Sequence, residues 1–550
     1  MSQVDPFELH KMLENEHLGA GNFLHYLVRE NSYSDHDYLF LERPIIGFGN
    51  TKRMSFSQQS LLECAKQWSS FYCKAGVTSK DVVAVFIDDT IDYFLQFIAL
   101  SSLGAIPALI NSKLAPEIAI QYIKHIQANL VLSTKERLSD MQAFESTDGI
   151  QFFDIEQVVQ QPAENKLPVQ YPFIHAPTDP VLLTHTSGTT GIPKSVIAAH
   201  KPYFHGIRFR LNNPIANLDR YLTALPHSHN SGLAYLMEAS MRGCPTLVLS
   251  DKSPQSLAQQ VASFKPNFVV AFPKIFVELV RSKPRVEDLA SVNYWRSTGD
   301  AAHERHVKHL TSWGSHYHQG VLKPGSIYID GLGSSEMGSS LFTVNHHQGK
   351  RDYDRCVGKP QPWVDAQVID DLGNILPCGQ VGRLGIKSPS LTPGYWNSTL
   401  LTEKSRVNGY WITGDLVKKD ELGYFYHLDR ITDKITSAAG VLYSLQTEEL
   451  ILKQFDEIFD CSIYTYQDAQ LHTKVAIRVD LVSEDRSEQY LASLLSQIND
   501  CLSADKIPKL DSISVVDKDQ SYAPEGVTGK VLKRVLRHDD KSEIRVFAHT

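Results

Sequence analysis

The stretch Leu182–Ile197, LLTHTSGTTGIPKSVI, holds at its centre a loop-like run, Thr186–Lys194, with four hydroxyl side chains, two glycines and one lysine. Glycines allow backbone N–H groups to approach an anion, hydroxyls add hydrogen-bond donors, and a lysine adds positive charge. The Walker pattern GxxxxGK[ST] does not fit, because Pro193 stands in the place of its second glycine. The stretch therefore predicts a phosphate-binding loop that differs from those of P-loop kinases and GTPases.

Composition favours a soluble globular protein of several domains. The 550 residues are 42% hydrophobic and 21% charged, and allow two to four domains at roughly 150 residues each. The net charge of -8 and the lack of a long basic block argue against a nucleic-acid partner. No signal peptide or transmembrane segment is expected, and the seven cysteines form no CxxC pair. The expected location is the cytoplasm.

Strand-like and helical segments alternate through most of the chain. A buried strand at Val82–Asp88 is followed by a helical segment that stops at Gly104 and by a second strand. This order predicts an α/β fold, with parallel sheets covered by helices in a large N-terminal domain, residues 1–431. Short β-rich runs between Gly and Pro turns predict a β-barrel-like subdomain at about 350–428. Residues 432–550 are expected to form a small, mobile α+β domain.

Six motifs follow one another along the chain: TSGTTGIPK (186–194), LPHSHNSGL (225–233), GLGSSEMG (331–338), YWITGDL (410–416), LDRITDKI (428–435) and GVTGKVLKRVL (526–536). Taken together and in this order, they resemble the motifs of the adenylate-forming superfamily of acyl-CoA synthetases, peptide-synthetase adenylation domains and beetle luciferases. The resemblance implies a reaction in two steps. A carboxylate attacks the α-phosphorus of ATP to give an acyl-adenylate and pyrophosphate, and a thiol then displaces AMP.

The resemblance also implies which residues bind the phosphates and the metal. The β- and γ-phosphates would be held by the loop residues Thr186, Ser187, Gly188, Thr189, Thr190 and Gly191. Lys194 would neutralise the departing pyrophosphate, and Glu336 would coordinate Mg²⁺, a hard cation suited to carboxylate and phosphate oxygens. Ser335 stands where threonine is usual, and its hydroxyl can still reach a phosphate.

A second set of residues is assigned to the nucleoside by the same resemblance. The adenine walls would be formed by Gly299, Asp300, Asp330, Gly331, Leu332 and Gly333. Asp415 would accept hydrogen bonds from both ribose hydroxyls, since one carboxylate can serve a cis-diol, and Arg430 would also contact the ribose. Leu332 stands where many members place an aromatic ring.

The small domain is expected to carry the catalytic lysine. Lys530 corresponds to the family lysine that bridges the substrate carboxylate and the α-phosphate as negative charge develops. Thr432 takes the hinge position, where aspartate or lysine is usual and where a large φ/ψ change must be absorbed. Ala438 and Ala439 replace the usual paired glycines beside the thiol path, so a narrower path is expected.

The acid pocket is predicted around His229, Asn230, Gly333 and Ser334. The motif at 225–233 lacks the aspartate that would pair with an α-ammonium group, which disfavours an amino acid. The His-Asn pair resembles the aryl-acid branch, whereas the residues that follow are more similar to fatty and aromatic CoA ligases. An uncharged aliphatic or aromatic monocarboxylic acid is therefore predicted. His303, His306 and His309 are expected to lie in a solvated surface, because no cysteine or carboxylate framework accompanies them.

The leading hypothesis is a carboxylic acid–CoA ligase that uses ATP, Mg²⁺ and CoA. One alternative is a stand-alone adenylating enzyme that loads an acyl or aryl acid onto the phosphopantetheine of a carrier protein. Another, from a different class, is an ATP-binding regulator without catalysis. The presence of Lys530, Glu336 and Asp415 together argues against the regulator.

Overall fold

The computed structural model describes residues 4–32, 34–144, 149–186, 192–300, 302–349, 353–437, 439–468, 470–515, 523–526, 531–536 and 544–548, without the side chain of Arg534. Lys530, Ala438 and the loop residues Ser187 to Gly191 lie outside this part of the chain.

The first part of the chain alternates helices and strands as the sequence predicts. Its elements are α1 (Pro6–Glu14), α2 (Phe23–Glu30), β1 (Asp37–Gly47), β2 (Thr51–Ser57), α3 (Gln58–Lys74), β3 (Val82–Phe86), α4 (Asp92–Ser102), β4 (Ile106–Leu109), α5 (Pro116–His125), β5 (Leu130–Ser133), α6 (Lys135–Phe144), β6 (Gln151–Asp154), α7 (Ile155–Gln160), β7 (Pro180–Thr186) and β8 (Lys194–Ala199). Strands β3 to β8 form a six-stranded sheet in the order β6-β5-β3-β4-β7-β8. Its neighbours are parallel except for the β7–β8 hairpin.

The alternation continues into a second, larger sheet. The next elements are α8 (His200–Asn212), β9 (Tyr221–Thr223), α9 (Asn230–Arg242), β10 (Thr246–Val248), α10 (Pro254–Phe264), β11 (Phe268–Ala271), α11 (Pro273–Arg281), β12 (Tyr294–Ser297), α12 (Glu304–Ser312), β13 (Ser315–His318), β14 (Val321–Pro324) and β15 (Ile327–Asp330). Strands β15, β12, β11, β9, β10 and β1 pair in parallel in that order. The predicted α/β class is confirmed.

An antiparallel layer extends this second sheet. It contains β16 (Phe342–His346), β17 (Cys356–Pro360), β18 (Asp365–Ile369), β19 (Val381–Lys387), α13 (Thr399–Lys404), β20 (Arg406–Val407), β21 (Tyr410–Lys419) and β22 (Phe425–Arg430). The paired strands run in the order β18-β19-β21-β22-β17-β16-β15, so the β-rich segment continues from the parallel strands. Its core contains Met337, Phe342 and Leu384, and Leu332 packs against it.

The last part of the chain builds a small α+β unit with its own core. Its elements are β23 (Ile435–Ser437), β24 (Gly440–Leu442), α14 (Ser444–Gln454), β25 (Ile458–Gln467), β26 (Thr473–Leu481), α15 (Glu488–Ala504), β27 (Ser512–Val515), α16 (Lys533–Leu536) and β28 (Ile544–Phe547). Ile451, Ile477 and Ile498 are fully buried in this core. Nowhere in the described ranges does a helix combine the length and the hydropathy that crossing a membrane requires.

The small unit packs on α12, and this contact corrects one prediction. His303, at the N-terminus of α12, lies 2.9 Å from a Glu449 carboxylate oxygen, and His306 Nε2 lies 3.1 Å from the Phe459 carbonyl. Both rings are therefore covered by the small unit, and only His309 is exposed. The expectation of a solvated histidine face was wrong for two of the three, because a segment about 150 residues further along the chain covers them.

Candidate active site

Three parallel strands bring their motifs to one edge of the second sheet. β9, β12 and β15 are followed by residues 225–233, Thr298–Gly299 and Gly331–Glu336 respectively. These strands run parallel within the order β9-β11-β12-β15, so their carboxyl ends point the same way. In open α/β sheets this edge is where ligands bind.

A cavity of about 550 Å³ lies at this edge. The large domain contributes Thr186, Lys194, His229, Asn230, Gly299, Gly333, Ser334, Ser335, Glu336 and Arg430 from the predicted set. The predicted hinge residue Thr432 also lines it, as do Val531, Leu532 and Lys533 of the small unit. The structure therefore brings residues from six separate motifs together around one space.

Lys194 and Glu336 converge on Tyr395. Lys194 opens β8 and pairs in register with Thr186 at the end of β7, and the predicted phosphate loop is the chain segment that joins these two residues. Lys194 Nζ lies 5.4 Å from the centroid of the Tyr395 ring, and the Tyr395 hydroxyl donates to Glu336 Oε1 over 2.9 Å. An ammonium and an ionisable carboxyl group thus meet at the end of the cavity where the sequence places phosphates and metal.

Asp415 and Arg430 face each other across β21 and β22. The two residues are register partners, and Arg430 Nη1 donates to Asp415 Oδ1 over 2.9 Å. Burial raises the pKa of Asp415, but the positive charge of Arg430 and a hydrogen bond with His427 outweigh it, so the pKa lies well below its usual value. Asp415 is therefore ionised and able to accept hydroxyl donors. Arg430 and Gly414 line the cavity, whereas Asp415 is buried behind them and does not line it.

The predicted adenine walls divide into two groups. Gly299, which has a left-handed φ of 86°, and Gly333 line the cavity. The Asp330 carboxylate instead accepts hydrogen bonds from the Ser297 and Tyr353 hydroxyls and from the Gly331 N–H. It fixes the turn that carries the motif. Asp300, Asp330, Gly331 and Leu332 do not line the cavity, in contrast to the expectation for an adenine wall.

His229 is a neutral cap of α9. Its Nδ1 accepts from the Ser231 N–H over 3.2 Å, and its ring stands edge-on to Phe272 at 5.1 Å. Burial, with a smaller contribution from His185, lowers the pKa of His229 to about 4. A neutral ring here orients α9, and with it Asn230, which is buried and borders the cavity.

Several cavity residues carry no local signal in the sequence. Arg210 lies on α8, Tyr235 on α9 and Tyr395 after β19. Arginine and tyrosine are common on helices and in loops, and each of these reaches the site through tertiary packing. Lys533, which begins α16, lies in the motif at 526–536 but is not among the residues predicted for the site. The structure also adds Arg383 and Lys404 to the cavity wall.

The charges around the cavity fit a nucleotide with a bound divalent ion. The described cavity residues include six cations against two carboxylates: Lys194, Arg210, Arg383, Lys404, Arg430 and Lys533 against Glu336 and Asp433. No cluster of three or more metal-ligating side chains occurs in the portion of the chain that is described. A single carboxylate suits Mg²⁺, which is commonly held by one or two carboxylates together with phosphate oxygens. Glu336 is thus able to hold the ion only as part of a metal–nucleotide complex.

This geometry defines an adenylate-forming enzyme. Residues 34–396 match the family model for AMP-binding enzymes, and the chain belongs to that family. It is 34% identical to 3-aminoavenalumate diazotase from a Streptomyces species, over 96% of this chain and 97% of that protein. It is 25% identical to 2-succinylbenzoate–CoA ligase from Bacillus cytotoxicus, over 67% of this chain and 72% of that one.

A solved structure shares the architecture of both the large domain and the small unit. The crystal structure of an anthranilate CoA ligase in complex with anthranoyl-AMP aligns with a TM-score of 0.79, covering 95% of this chain and 97% of that chain. Its sequence identity is 18%, so the likeness concerns the fold. The predicted superfamily and the two-part architecture are confirmed.

Proposed function

We propose that this enzyme is a diazotase, which activates nitrite with ATP and transfers the nitroso group to an aromatic amine. The observation that carries the proposal is the 34% identity to a diazotase over 96% of the chain, which includes the small unit. The matched CoA ligase is less similar and leaves a third of this chain uncovered. Diazotisation needs a nitrogen donor at the oxidation level of nitrite, and nitrite, like a carboxylate, is a small oxyanion with a nucleophilic oxygen.

The first step joins two anions and depends on charge neutralisation. A nitrite oxygen attacks the α-phosphorus, the bond to the bridging oxygen breaks, and pyrophosphate leaves, giving a mixed anhydride of nitrite and AMP. Lys194 and Arg430 reduce the repulsion between the two anions, and preorganised cations of this kind act most strongly on developing charge. Mg²⁺ bound through Glu336 would neutralise phosphate oxygens. Lys530 remains the predicted ammonium at the α-phosphate.

The second step transfers nitrogen and needs no external oxidant. The amine lone pair attacks the nitroso nitrogen, the N–O bond to AMP breaks, and the amine loses a proton. The resulting N-nitrosamine takes up a proton and loses water, which leaves the diazonium ion. The amine must be unprotonated to attack. Cations in the cavity wall, Lys194 among them, disfavour an arylammonium ion.

A carboxylic acid–CoA ligase is the second candidate. Its first step is the same with a carboxylate in place of nitrite, and the fold is that of known CoA ligases. The acceptor would be CoA or, in the carrier-protein variant, a phosphopantetheine thiol. Alanine in place of glycine at 439, on the β23–β24 hairpin, is the feature that argues against a wide thiol path.

One experiment separates these functions. The enzyme is incubated with ATP, Mg²⁺, ¹⁵N-nitrite and 3-aminobenzoate at neutral pH, and the diazonium ion is trapped as an azo dye with an electron-rich naphthylamine. We expect dye that contains ¹⁵N, with one AMP released per dye molecule, and no dye without ATP or enzyme. Thioester and AMP formed from an aryl or fatty acid with CoA or a holo carrier protein, in the absence of dye, would establish a ligase instead. ATP binding without AMP release from any acid would indicate a regulator.

A further inference from the structure

An ionic cluster that the nucleotide chemistry does not use lies where α8 and α9 pack together. Arg210 Nε on α8 donates to Glu238 Oε2 on α9 over 2.6 Å, and Arg242 Nη2 donates to Glu238 Oε1 over 3.2 Å. The Tyr221 hydroxyl donates to the same Oε1 over 3.2 Å. Burial raises the pKa of Glu238, but the two guanidinium groups outweigh it, so the carboxylate stays ionised. Two cations therefore share one anion, which leaves a positive charge.

That positive charge faces the cavity through Arg210. Arg210 lines the cavity and its side chain is 28% exposed, against 5% for Glu238. Its Nη1 lies 3.3 Å from the Ser339 hydroxyl, which also lines the cavity, and its guanidinium lies 5.2 Å from the centroid of the Tyr235 ring. Within the described residues, the only carboxylate paired with Arg210 is Glu238, which is bound through Nε. The outer edge of the guanidinium, which contacts the Ser339 hydroxyl through Nη1, is thus able to bind a ligand from the cavity.

We infer that Arg210 and Ser339 form a subsite for a carboxylate on the aromatic substrate, with Tyr235 and Ala234 beside the ring. The inference rests on the proposed function, in which nitrite is activated and a substrate carboxylate needs a partner away from the phosphates. A guanidinium matches a carboxylate through two parallel hydrogen bonds. An aromatic ring beside an arginine also matches a flat, electron-rich substrate.

The spacing along α9 fits a substrate with one ring between two polar ends. Glu238 follows Asn230 by eight residues, which corresponds to about 12 Å along the helix axis. Asn230 lies at the end of α9 beside the nucleotide motifs, and the Arg210 cluster lies at the other end. This separation leaves room for an aromatic ring between the two side chains, with its carboxylate toward Arg210 and its amine toward the nucleotide.

Arg210 as a purely structural partner of Glu238 is the competing explanation. Arg242 and Tyr221 already satisfy one oxygen of Glu238, so loss of the Arg210 charge leaves a partnered carboxylate. A structural arginine would affect all ligands alike. A carboxylate subsite affects only ligands that carry the carboxylate, and this difference gives the test.

The test compares the binding of 3-aminobenzoate and 3-aminobenzamide by calorimetry, with AMP and Mg²⁺ present. We expect the wild-type enzyme to bind the carboxylate at least about tenfold more tightly, the advantage of a charge-assisted hydrogen bond. Arg210→Met should bring the ratio to about one with the amide affinity within about threefold, while Arg210→Lys should give an intermediate ratio. Arg29→Met, an exposed arginine of α2, is the matched control and should keep the wild-type ratio.

If Arg210→Met does not fold, Arg210→Lys and Ser339→Ala, which keep a cation beside Glu238, carry the test through their reduced ratios. A wild-type ratio near one, or a ratio unchanged in all Arg210 and Ser339 variants, would overturn the inference. Neither result needs nitrite or turnover. Dye formed equally well from aniline and 3-aminobenzoate would keep the proposed diazotase and remove this subsite.

Discussion

The Tyr395 hydroxyl donates to Glu336 Oε1 over 2.9 Å, and this bond orients the carboxylate that is predicted to bind Mg²⁺. The Thr392 N–H also donates to the Glu336 backbone carbonyl over 2.8 Å, so two residues of one segment hold Glu336. Burial and the nearby negative charge raise the pKa of Tyr395, which therefore stays a donor at any physiological pH. Groups that orient a metal ligand commonly set the affinity for the metal.

Tyr395→Phe is expected to lower the affinity for Mg²⁺ more than it lowers the stability of the fold. Removal of an orienting partner commonly costs 10- to 100-fold in metal affinity, so the Mg²⁺ concentration for half-maximal pyrophosphate release should rise about tenfold. Tyr410→Phe is the matched control, because its hydroxyl donates to the Asp365 carboxylate within the antiparallel layer and not to Glu336. Equal Mg²⁺ requirements in the two variants would contradict the role given to Tyr395.

Asp415→Asn is expected to remove the preference of the enzyme for ATP over 2′-deoxy-ATP. The carboxylate of Asp415 is ionised, and an amide offers one acceptor oxygen where the carboxylate offers two. The KM for ATP should rise about tenfold or more, whereas that for 2′-deoxy-ATP should change little, since a hydrogen bond to a charged group is worth roughly 1.5–3 kcal/mol. Steady-state kinetics with both nucleotides measures this.

Asp420→Asn supplies the comparison for the ribose prediction. Asp420 closes the β21–β22 turn, at the opposite end of the hairpin from the Asp415–Arg430 pair, where it accepts from the Tyr424 N–H over 2.8 Å. Its substitution should leave the preference for ATP intact. A preference that survives Asp415→Asn would place the ribose elsewhere.

The sequence predicts the parts of this molecule that local patterns determine. Strand and helix alternation gives the α/β class, and Asp415 and Arg430 lie in short motifs whose register pairing follows from the β21–β22 hairpin. Asp330 and Leu332 show the limit of such reasoning. Both lie in a motif that borders the cavity, yet one fixes the turn and the other packs into the antiparallel layer.

Long-range packing explains what the sequence does not predict. Arg210 and Tyr395 belong to segments about 185 residues apart, and neither segment has a composition that marks it as part of a site. His306 is similar, because the helical spacing of α12 is readable but its cover at Phe459 is not. A residue whose partner lies in a distant segment leaves no local pattern.

Two lysines three residues apart are expected to respond in opposite ways. Lys530→Ala should reduce adenylate formation at least about a hundredfold, as expected for loss of one group that stabilises transition-state charge. Its thermal stability should stay near the wild-type value. Pyrophosphate exchange and a melting curve on the same protein test both parts, and near-normal exchange would refute the assignment of Lys530.

Lys533→Met should instead destabilise the small unit. Lys533 donates to Glu448 Oε1 over 2.7 Å and to the Ser444 hydroxyl over 2.6 Å, and Glu448 is buried. Removing one partner of a buried ion pair typically costs about 3–5 kcal/mol, because the other charge is left unpaired. Urea unfolding, with proteolytic cleavage within residues 432–550 as the probe, measures the loss of stability. A variant as stable as Lys530→Ala would contradict this prediction.

Stability is expected to rise with pH between about 5 and 6.5, because buried histidines resist protonation in the folded chain. Burial lowers the pKa of His25, His185, His200 and His229 to about 4 and that of His306 to about 3. In this range the unfolded chain binds protons that the folded chain does not, so the free energy of unfolding increases as these protons leave. Burial raises the pKa of Asp92 and Asp460 to about 6, which acts in the opposite sense but at fewer sites.

The free energy of unfolding should therefore be at least about 1 kcal/mol larger at pH 6.5 than at pH 5, and the urea midpoint should be correspondingly higher. His306→Gln, whose amide can still donate to the Phe459 carbonyl, should flatten this dependence by up to about 1.4 kcal/mol per pH unit, the contribution of one proton. His10→Gln, at an exposed position of α1, should keep the wild-type slope. A midpoint that falls as the pH rises over this interval would mean that the buried carboxyl groups outweigh the histidines.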